Sequence, residues 1–401
     1  MQIASKWPLM GIDAHSGTLV RIPWLRTLSA VLLNAGLLVG SLIAALGLSE
    51  ILIRIVAPQQ LVLVRPEIWQ PDDSLGWKFR PNLHTEANWG ERTVHLYTDR
   101  DGFRVGAAGP RQANTRVLLI GDSFMAALQV EYEQSLAALL EERLSRRLGK
   151  PVAVRNAGQD GYDPPQYFLQ ARPLLLRDTF DLVVVAFFLG NDVVTARPDR
   201  VPPWVHADIA RFRLPHRLTR GEFVAAFLRP INDYLEARSH LFIFAKNRLQ
   251  TLRMRVGLSA EYFPEEFLRR EAASSRWDIT ADICRDIAGL AARRGIPTLF
   301  VLVPAPFQVD SVVFNQYLNG LGIDPKTVDL DQPDRLMGER LRARHLDVLH
   351  VLPAFRAVED AGRQLYGRVD RHLSPAGHEK LDSLVEPEVV KILEHRGARP
   401  R

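Results

Sequence analysis

The stretch RVLLIGDS at 116–123 decides the fold of this chain. Its first six residues are a short, strongly apolar run, which is typical of a strand buried inside a sheet. The run ends at Gly121 and is followed directly by Asp122 and Ser123, so a serine stands at the carboxyl end of the strand. In open α/β sheets, sites form at the carboxyl ends of parallel strands. The stretch therefore predicts both a buried strand and a functional site at its end.

Short apolar runs alternate with amphipathic stretches along the rest of the chain. The runs that predict strands lie at 116–121, 151–156, 181–188, 297–304 and 347–353. The stretches that predict helices lie at 132–148, at 279–295 and from Ser374 onward. Strands that alternate with helices form parallel β-α-β units, in which helices cover both faces of one sheet. We therefore expect an α/β domain.

An insertion at about 193–276 interrupts this alternation between the third and fourth predicted strands. Its stretches RFRLPHRLTR (211–220) and FAKNRLQTLRMR (244–255) are basic and interleaved with apolar residues. One interpretation is a helical cap with solvated arginines, and the other is a surface that sits against anionic lipid headgroups.

The composition is that of a folded protein. The 401 residues are 47% hydrophobic and 24% charged, which excludes disordered, collagen-like and low-complexity chains. The net charge of +5 is small for this length, so we expect no nucleic-acid partner. With Cys284 as the single cysteine, the chain can form neither an internal disulfide nor a multi-cysteine zinc site.

The segment 27–49 contains no charged residue and is long enough to cross a bilayer as a helix. Lys6, Arg21 and Arg26 precede it, so the positive-inside rule predicts a cytoplasmic segment 1–26. We expect a single-pass protein of the cell inner membrane whose later residues are extracytoplasmic, in the periplasm. A cleaved signal peptide is the alternative.

Two smaller predictions concern the flanks of this segment. Gly36 and Gly40 have the spacing that allows two membrane helices to approach closely, so a weak homodimer is one interpretation and chance spacing is the other. Residues 50–115 are rich in turn formers and aromatic side chains, which predicts an irregular, partly β connecting segment.

Polar and small residues follow three predicted strands in succession. Ser123 follows the first, Asn156-Ala157-Gly158 ends the second, and Gly190-Asn191-Asp192 ends the third. Near the C-terminus, the run Asp370-Arg371-His372-Leu373-Ser374 directly precedes the last predicted helix. The combination is far more specific than any one of these blocks.

These blocks resemble the SGNH (GDSL-type) hydrolase family, in which Ser, Gly, Asn and His occur in four blocks. The matching residues, in the same order, are Ser123, Gly158, Asn191 and His372. The resemblance implies a flavodoxin-like three-layer sandwich with a mostly parallel five-stranded sheet, here spanning about 116–396 with the insertion. The segment LGW…RPN…DRDGFR upstream also resembles the membrane-anchored bacterial members.

The chemistry of the residues agrees with the resemblance. A serine hydroxyl is a weak nucleophile until a nearby base takes its proton, which is the role expected of His372. The oxyanion of the tetrahedral intermediate needs donors, which we expect to be the backbone N–H groups of Ser123 and Gly158 and the side-chain amide of Asn191. Glycine at 158 is expected to let the backbone approach the substrate closely.

One departure from the family pattern concerns the acid. The family places an aspartate three residues before the histidine, whereas Asp370 stands two before His372. The resemblance implies that Asp370 orients the imidazole. If Asp370 points away, the site is a Ser-His dyad or uses another acid.

Structural roles are the competing interpretation for each of these residues. Ser123 could be a helix N-cap, Gly158 and Gly190 turn residues, and His372 a packing histidine. For Asp192, closing a turn is the preferred interpretation.

The leading functional hypothesis is a membrane-anchored serine esterase or deacylase that acts on O-acyl esters of an envelope glycan or lipid. An O-acyltransferase with a sugar acceptor would use the same residues, and a non-enzymatic glycan-binding module would keep only the fold. We found no phosphate-binding glycine loop and no metal-ligand spacing, so we expect no cofactor and no metal.

Overall fold

The computed structural model describes residues 23–63, 66–194, 220–255, 264–269, 274–368 and 370–397. Two compact units divide the chain, one at Met1–Pro58 and one at Gln59–Arg401. Lys6, Arg21 and the basic stretch 211–219 lie outside the described residues.

The first unit contains helix α1 (Pro23–Val56). Its part Val31–Val56, with 26 residues, is long and apolar enough to cross a membrane by length and composition, and none of it is buried. The helix is longer than the predicted 27–49. Its last turns include Glu50 and Arg54, whose side chains pair at 2.7 Å four residues apart, which stabilises a helical end with charged residues.

Six short strands open the second unit. They are β1 (Val62–Leu63), β2 (Trp69–Asp72), β3 (Gly76–Phe79), β4 (His84–Trp89), β5 (Thr93–Thr98) and β6 (Arg104–Val105). Strands β2 and β3 form an antiparallel hairpin, and the other four form an antiparallel sheet in the order β1-β4-β5-β6. Trp77, Phe79 and Leu96 are fully buried in the same core cluster as residues of the main sheet. This segment is therefore packed into the α/β unit.

Five parallel strands form the main sheet. They are β7 (Thr115–Ile120), β8 (Val152–Asn156), β9 (Leu182–Phe188), β10 (Thr298–Val303) and β11 (Asp347–His350). Their order across the sheet is β11-β10-β9-β7-β8, which is the flavodoxin-like 2-1-3-4-5 order read from the other edge. The predicted α/β fold with a five-stranded sheet is confirmed, and every predicted strand is present.

The described helices of this unit follow the strands. They are α2 (Ser123–Ala126), α3 (Leu136–Leu148), α4 (Pro164–Arg177), α5 (Arg220–Glu236), α6 (His240–Arg255), α7 (Arg276–Ala292), α8 (Pro306–Val309), α9 (Ser311–Leu321), α10 (Gln332–Arg342), α11 (Leu352–Asp360) and α12 (Pro375–Gly397). Single 3₁₀ turns lie at Pro66–Ile68, Tyr132–Gln134, Glu265–Phe267 and Pro325–Thr327.

The central strands are apolar on both faces because helices cover both sides of the sheet. In β7, Val117 and Leu119 pack with α3 and α12, while Leu118 and Ile120 pack with α4, α7 and α10. Cys284 lies buried on α7, in the same core cluster as Leu118 and Ile120. The strand order reverses between β7 and β9, so a crevice forms where the chains leaving these two strands diverge.

Candidate active site

Ser123 begins helix α2 at the carboxyl end of β7. The carboxylate of Asp122 caps this helix by accepting the Phe124 N–H at 2.9 Å. Gly121 leaves room for the tight turn, because a Cβ there would lie 2.4 Å from Met125 Cγ. The local sequence therefore fixes the serine at the switch point of the sheet.

His372 lies on the loop that leads into α12, and several contacts hold this loop. The Gly367 N–H donates to the His372 carbonyl at 2.8 Å. The Asp370 N–H donates to Glu91 Oε1 at 3.0 Å, so the segment between β4 and β5 supports the loop. Arg371 has a φ of +63°, which is uncommon outside glycine. This left-handed residue turns the chain between Asp370 and His372.

A continuous hydrogen-bonded chain joins the three predicted catalytic side chains. His372 Nε2 lies 2.8 Å from Ser123 Oγ. On the other side of the ring, His372 Nδ1 lies 2.9 Å from Asp370 Oδ1. Asp370 thus reaches the imidazole despite standing only two positions before it. The arrangement of nucleophile, base and orienting acid is that of a Ser-His-Asp triad.

The ring of Phe124 packs beside the imidazole. Its centroid lies 4.7 Å from that of His372 and 4.0 Å from that of Phe188 at the end of β9. These contacts restrict the orientation of the imidazole in addition to its two hydrogen bonds.

The electrostatics of the site favour a charged imidazole. Partial burial on its own lowers the pKa of His372, but the charge of Asp370 and the hydrogen bond to it raise this pKa to about 9. Smaller contributions in the same direction come from Asp122 and Asp160. An imidazolium held in this way is stabilised when the ring has accepted a proton from the serine.

The raised pKa gives a pH prediction. The base is active only when the His372 imidazole is neutral, so kcat/KM for an acyl ester is expected to rise as pH increases and to level off above about pH 9. Initial rates measured between pH 5 and pH 10 at subsaturating substrate, with the spontaneous hydrolysis subtracted, test this. A plateau already reached near pH 6 would contradict the strong influence of Asp370.

Two buried carboxyl groups lie beneath the nucleophile. Burial raises the pKa of Asp122 to about 7. Burial and the nearby Asp122 raise the pKa of Asp192 well above its usual range. Asp192 accepts hydrogen bonds from the Phe188 N–H at 2.7 Å and from the Tyr167 hydroxyl at 3.0 Å. Its preferred interpretation as a turn-closing residue is confirmed by the first of these bonds.

Gly158 follows β8 and differs from its predicted role in two respects. A Cβ at this position would lie 2.4 Å from the Ala126 backbone nitrogen, so the glycine permits close packing of α2 rather than approach of substrate. Its N–H donates to Asn156 Oδ1 at 3.0 Å and the residue is buried. In this arrangement the Gly158 N–H is already engaged and would have to be shared or released to serve an oxyanion.

The other two predicted oxyanion donors are free among the described residues. The Ser123 N–H, at the start of α2, has no hydrogen-bond acceptor there, and neither does the side-chain amide of Asn191. Asn191 is exposed and lies three residues beyond the end of β9, which is the strand that neighbours β7 in the sheet. Both groups are therefore available to a substrate oxygen.

The sequence analysis did not assign a role to two residues that support the nucleophile. The Asn156 amide donates to the Met125 carbonyl at 2.8 Å, so its side chain joins α2 to the Gly158 turn. The guanidinium of Arg104 is fully buried and donates to the carbonyls of Ala126, at 3.0 Å, and Val130, at 2.6 Å. Asn156 could have been found from its place at a strand end. Arg104 is the last residue of the DRDGFR segment, which does not by itself indicate what the arginine contacts.

Within the described residues, no group of three or more His, Cys, Asp or Glu side chains is arranged to hold a metal ion. The doubly wound sheet and the Ser-His-Asp geometry at its switch point are together those of an α/β protein with a serine-hydrolase site.

The chain is similar to several solved structures of ester hydrolases. TesA shares 14% identity over 69% of this chain and 99% of its own, with a TM-score of 0.36. A lipase/acylhydrolase from Enterococcus faecalis shares 16% identity over 69% and 96%, with a TM-score of 0.34. A catalytic mutant of an acetylxylan esterase from Geobacillus stearothermophilus shares 12% over 70% and 95%, with a TM-score of 0.37. No family model and no curated protein matches the chain. At these identities and TM-scores the similarities add no evidence on activity.

Proposed function

We propose that this protein is a serine ester hydrolase of the SGNH type that cleaves O-acyl esters through an acyl-enzyme. The observation that carries the proposal is the unbroken hydrogen-bonded chain from Ser123 Oγ through His372 to Asp370. A structural serine or a packing histidine does not require an acid on the far side of the ring.

In the first half of the reaction, Ser123 Oγ attacks the ester carbonyl carbon while its proton passes to His372 Nε2. The carbonyl oxygen becomes an oxyanion that accepts hydrogen bonds from the Ser123 N–H and the Asn191 amide. When the C–O bond to the alcohol breaks, the proton on His372 passes to the departing oxygen. The alcohol leaves and the acyl group remains on Ser123.

In the second half, water takes the place of the alcohol. His372 accepts a proton from the water as its oxygen attacks the acyl carbon, and returns this proton to Ser123 Oγ as the acyl–enzyme bond breaks. Asp370 orients the imidazole and stabilises the imidazolium in each half.

A cavity lined by both polar and apolar side chains supports an acylated carbohydrate as the substrate. The cavity has a volume of about 220 Å³ and adjoins the loop that carries Asp370 and His372, since Gly367, Arg368 and Arg371 line it. Its polar lining residues are Asp310, Gln316, Glu359, Gln364, Arg368 and Arg371. Together these side chains offer both hydrogen-bond donors and acceptors, which suit the hydroxyl groups of a sugar better than an acyl chain. An envelope glycan is the substrate that fits this lining, and a lipid with a sugar or polar headgroup fits it less closely.

The helix α1 supports attachment of the enzyme to a membrane. No residue of its described apolar part is buried and most of the side chains are exposed, which suits a lipid environment and not a protein core. We place the N-terminus in the cytoplasm and the hydrolase unit outside it, at the inner membrane. The weak homodimer through Gly36 and Gly40 stays a prediction.

A covalent probe tests the proposed activity. The full chain in detergent is expected to hydrolyse 4-nitrophenyl acetate and to react with a fluorophosphonate, with the modified peptide containing Ser123. Protein denatured before the probe is added serves as the control for nonspecific labelling. The absence of both turnover and Ser123 labelling would contradict an esterase. Transfer of acetyl to an added sugar in place of water would reassign the protein as an acyltransferase.

A further inference from the structure

Helix α5 exposes a stripe of large apolar side chains to solvent. Phe227 is 70% exposed, Leu228 48%, Ile231 55% and Tyr234 58%. Their spacing along the helix places them on one face, since residues three, four and seven positions apart share a side of a helix. On the neighbouring helix α6, Leu249 and Leu252 are 49% and 55% exposed. A stripe of exposed apolar side chains along one face of a helix, as on α5, marks an interaction site.

The same two helices are strongly basic. Residues 220–255 contain seven Lys or Arg residues against three Asp or Glu residues, a net charge of +4, within a chain whose net charge is +5. Among these cations, Lys246 pairs with Glu236, while Arg248 and Arg253 are exposed and have no carboxylate partner among the described residues. An apolar face beside unneutralised cations is complementary to anionic lipid at a bilayer surface.

The helices also lie where the chain enters this unit. Gln59 is the first residue of the unit and stands three residues beyond the end of α1 in the sequence. Its N–H donates to Nδ1 of His240, the first residue of α6, at 2.8 Å. At about 3.6 Å of reach per residue, three residues span only about 11 Å. The first residue of α6 is therefore hydrogen-bonded to the residue at which the chain enters this unit.

We propose that the apolar stripe of α5, with the basic residues of α6, lies on the surface of the membrane that holds α1. This rests on the membrane attachment in the proposed function but not on its ester chemistry. Such contact would add a second, surface attachment to the anchor and would fix the orientation of the hydrolase unit. The apolar side chains would enter the headgroup region, and Arg248 and Arg253 would contact lipid phosphates.

Environment-sensitive labels test the proposal on the full chain. Phe227→Cys and Ile231→Cys would each be labelled with the fluorophore NBD, since the native Cys284 is buried and does not compete. Leu176→Cys is the matched control, because Leu176 is a leucine on helix α4 with 69% exposure. The chains would be placed singly in nanodiscs of phosphatidylcholine, with or without phosphatidylglycerol, and with doxyl-labelled lipid as quencher.

We expect the labels at 227 and 231 to shift to the blue and to be quenched several-fold more strongly than the label at 176. The difference should increase with phosphatidylglycerol and decrease in the Arg248→Gln, Arg253→Gln double variant. Labels at 227 and 231 that are no more quenched than the label at 176 would overturn the proposal. A blue shift that is absent from single-chain discs and occurs only in discs loaded with two chains would also overturn the proposal, because a second copy would then cover the stripe. Neither readout depends on hydrolysis.

Discussion

Alanine in place of Ser123 is expected to lower kcat/KM for acyl esters by about 10⁴-fold or more and to abolish fluorophosphonate labelling. The substitution removes only Oγ, which lies 2.8 Å from His372 Nε2 and is the atom that would form the acyl-enzyme. The backbone N–H at 123 and the Asp122 cap of α2 are retained, so the fold and part of the oxyanion site persist. Rates with 4-nitrophenyl acetate and 4-nitrophenyl butyrate give the measurement.

Ser383→Ala is the control for this variant. Ser383 is an exposed serine on α12 whose hydroxyl donates to the Lys380 carbonyl, and it takes no part in the site. We expect that variant to keep the rate of the native chain. If Ser123→Ala kept more than about a tenth of the rate while remaining folded by circular dichroism, acyl-enzyme chemistry at this serine would be wrong.

Asparagine in place of Asp370 is expected to lower kcat by about 10³- to 10⁴-fold. The amide has nearly the same shape as the carboxylate, but it carries no charge to stabilise the imidazolium and can hold the ring in the unproductive tautomer. Because Asp370 is what outweighs burial at His372, the pKa of His372 is expected to fall from about 9 in this variant. The pH at which kcat/KM levels off should therefore move to lower values.

Asp73→Asn is a matched control, since Asp73 is exposed and has no hydrogen-bond or ion-pair partner among the described residues. We expect this variant to keep both the rate and the pH profile. A loss of less than about tenfold in Asp370→Asn, with an unchanged profile, would instead favour a Ser-His dyad.

The sequence predicted the part of the site that depends on local pattern. Ser123 and Asn191 each lie a few residues beyond an apolar run, and such runs become buried strands largely irrespective of distant residues. The resemblance to the SGNH family then gave both residues their expected roles. His372 was assigned through the resemblance to the SGNH family, and it lies directly before the helix start that Ser374 and Pro375 mark. The same reasoning gave the wrong physical reason for Gly158, since it could not show that the Ala126 backbone occupies the space of a Cβ.

Local sequence patterns did not predict the contacts between distant segments. Arg104 supports α2 from more than twenty positions earlier, and Glu91 holds the Asp370 N–H from 279 positions away. Glu91 lies in no quoted motif, and the DRDGFR segment that ends at Arg104 does not show which helix this arginine supports. A charged side chain in a turn-rich segment is ordinarily solvated. Arg104 becomes buried only when β6 packs against α2. This burial lowers the pKa of Arg104 to about 10.

The sequence by itself determined the strands, the helices that follow them, the apolar helix near the N-terminus and the four residues of the family blocks. Local hydrophobic periodicity and capping chemistry suffice for the strands and helices because they depend on neighbours in the chain, whereas the four block residues were assigned through the resemblance to the SGNH family. Only the tertiary structure decided that Asp370 reaches His372, that the Gly158 N–H is already engaged, and that a face of α5 stays uncovered. These depend on the order of strands in the sheet and on a left-handed Arg371, and so on contacts between residues up to 279 positions apart.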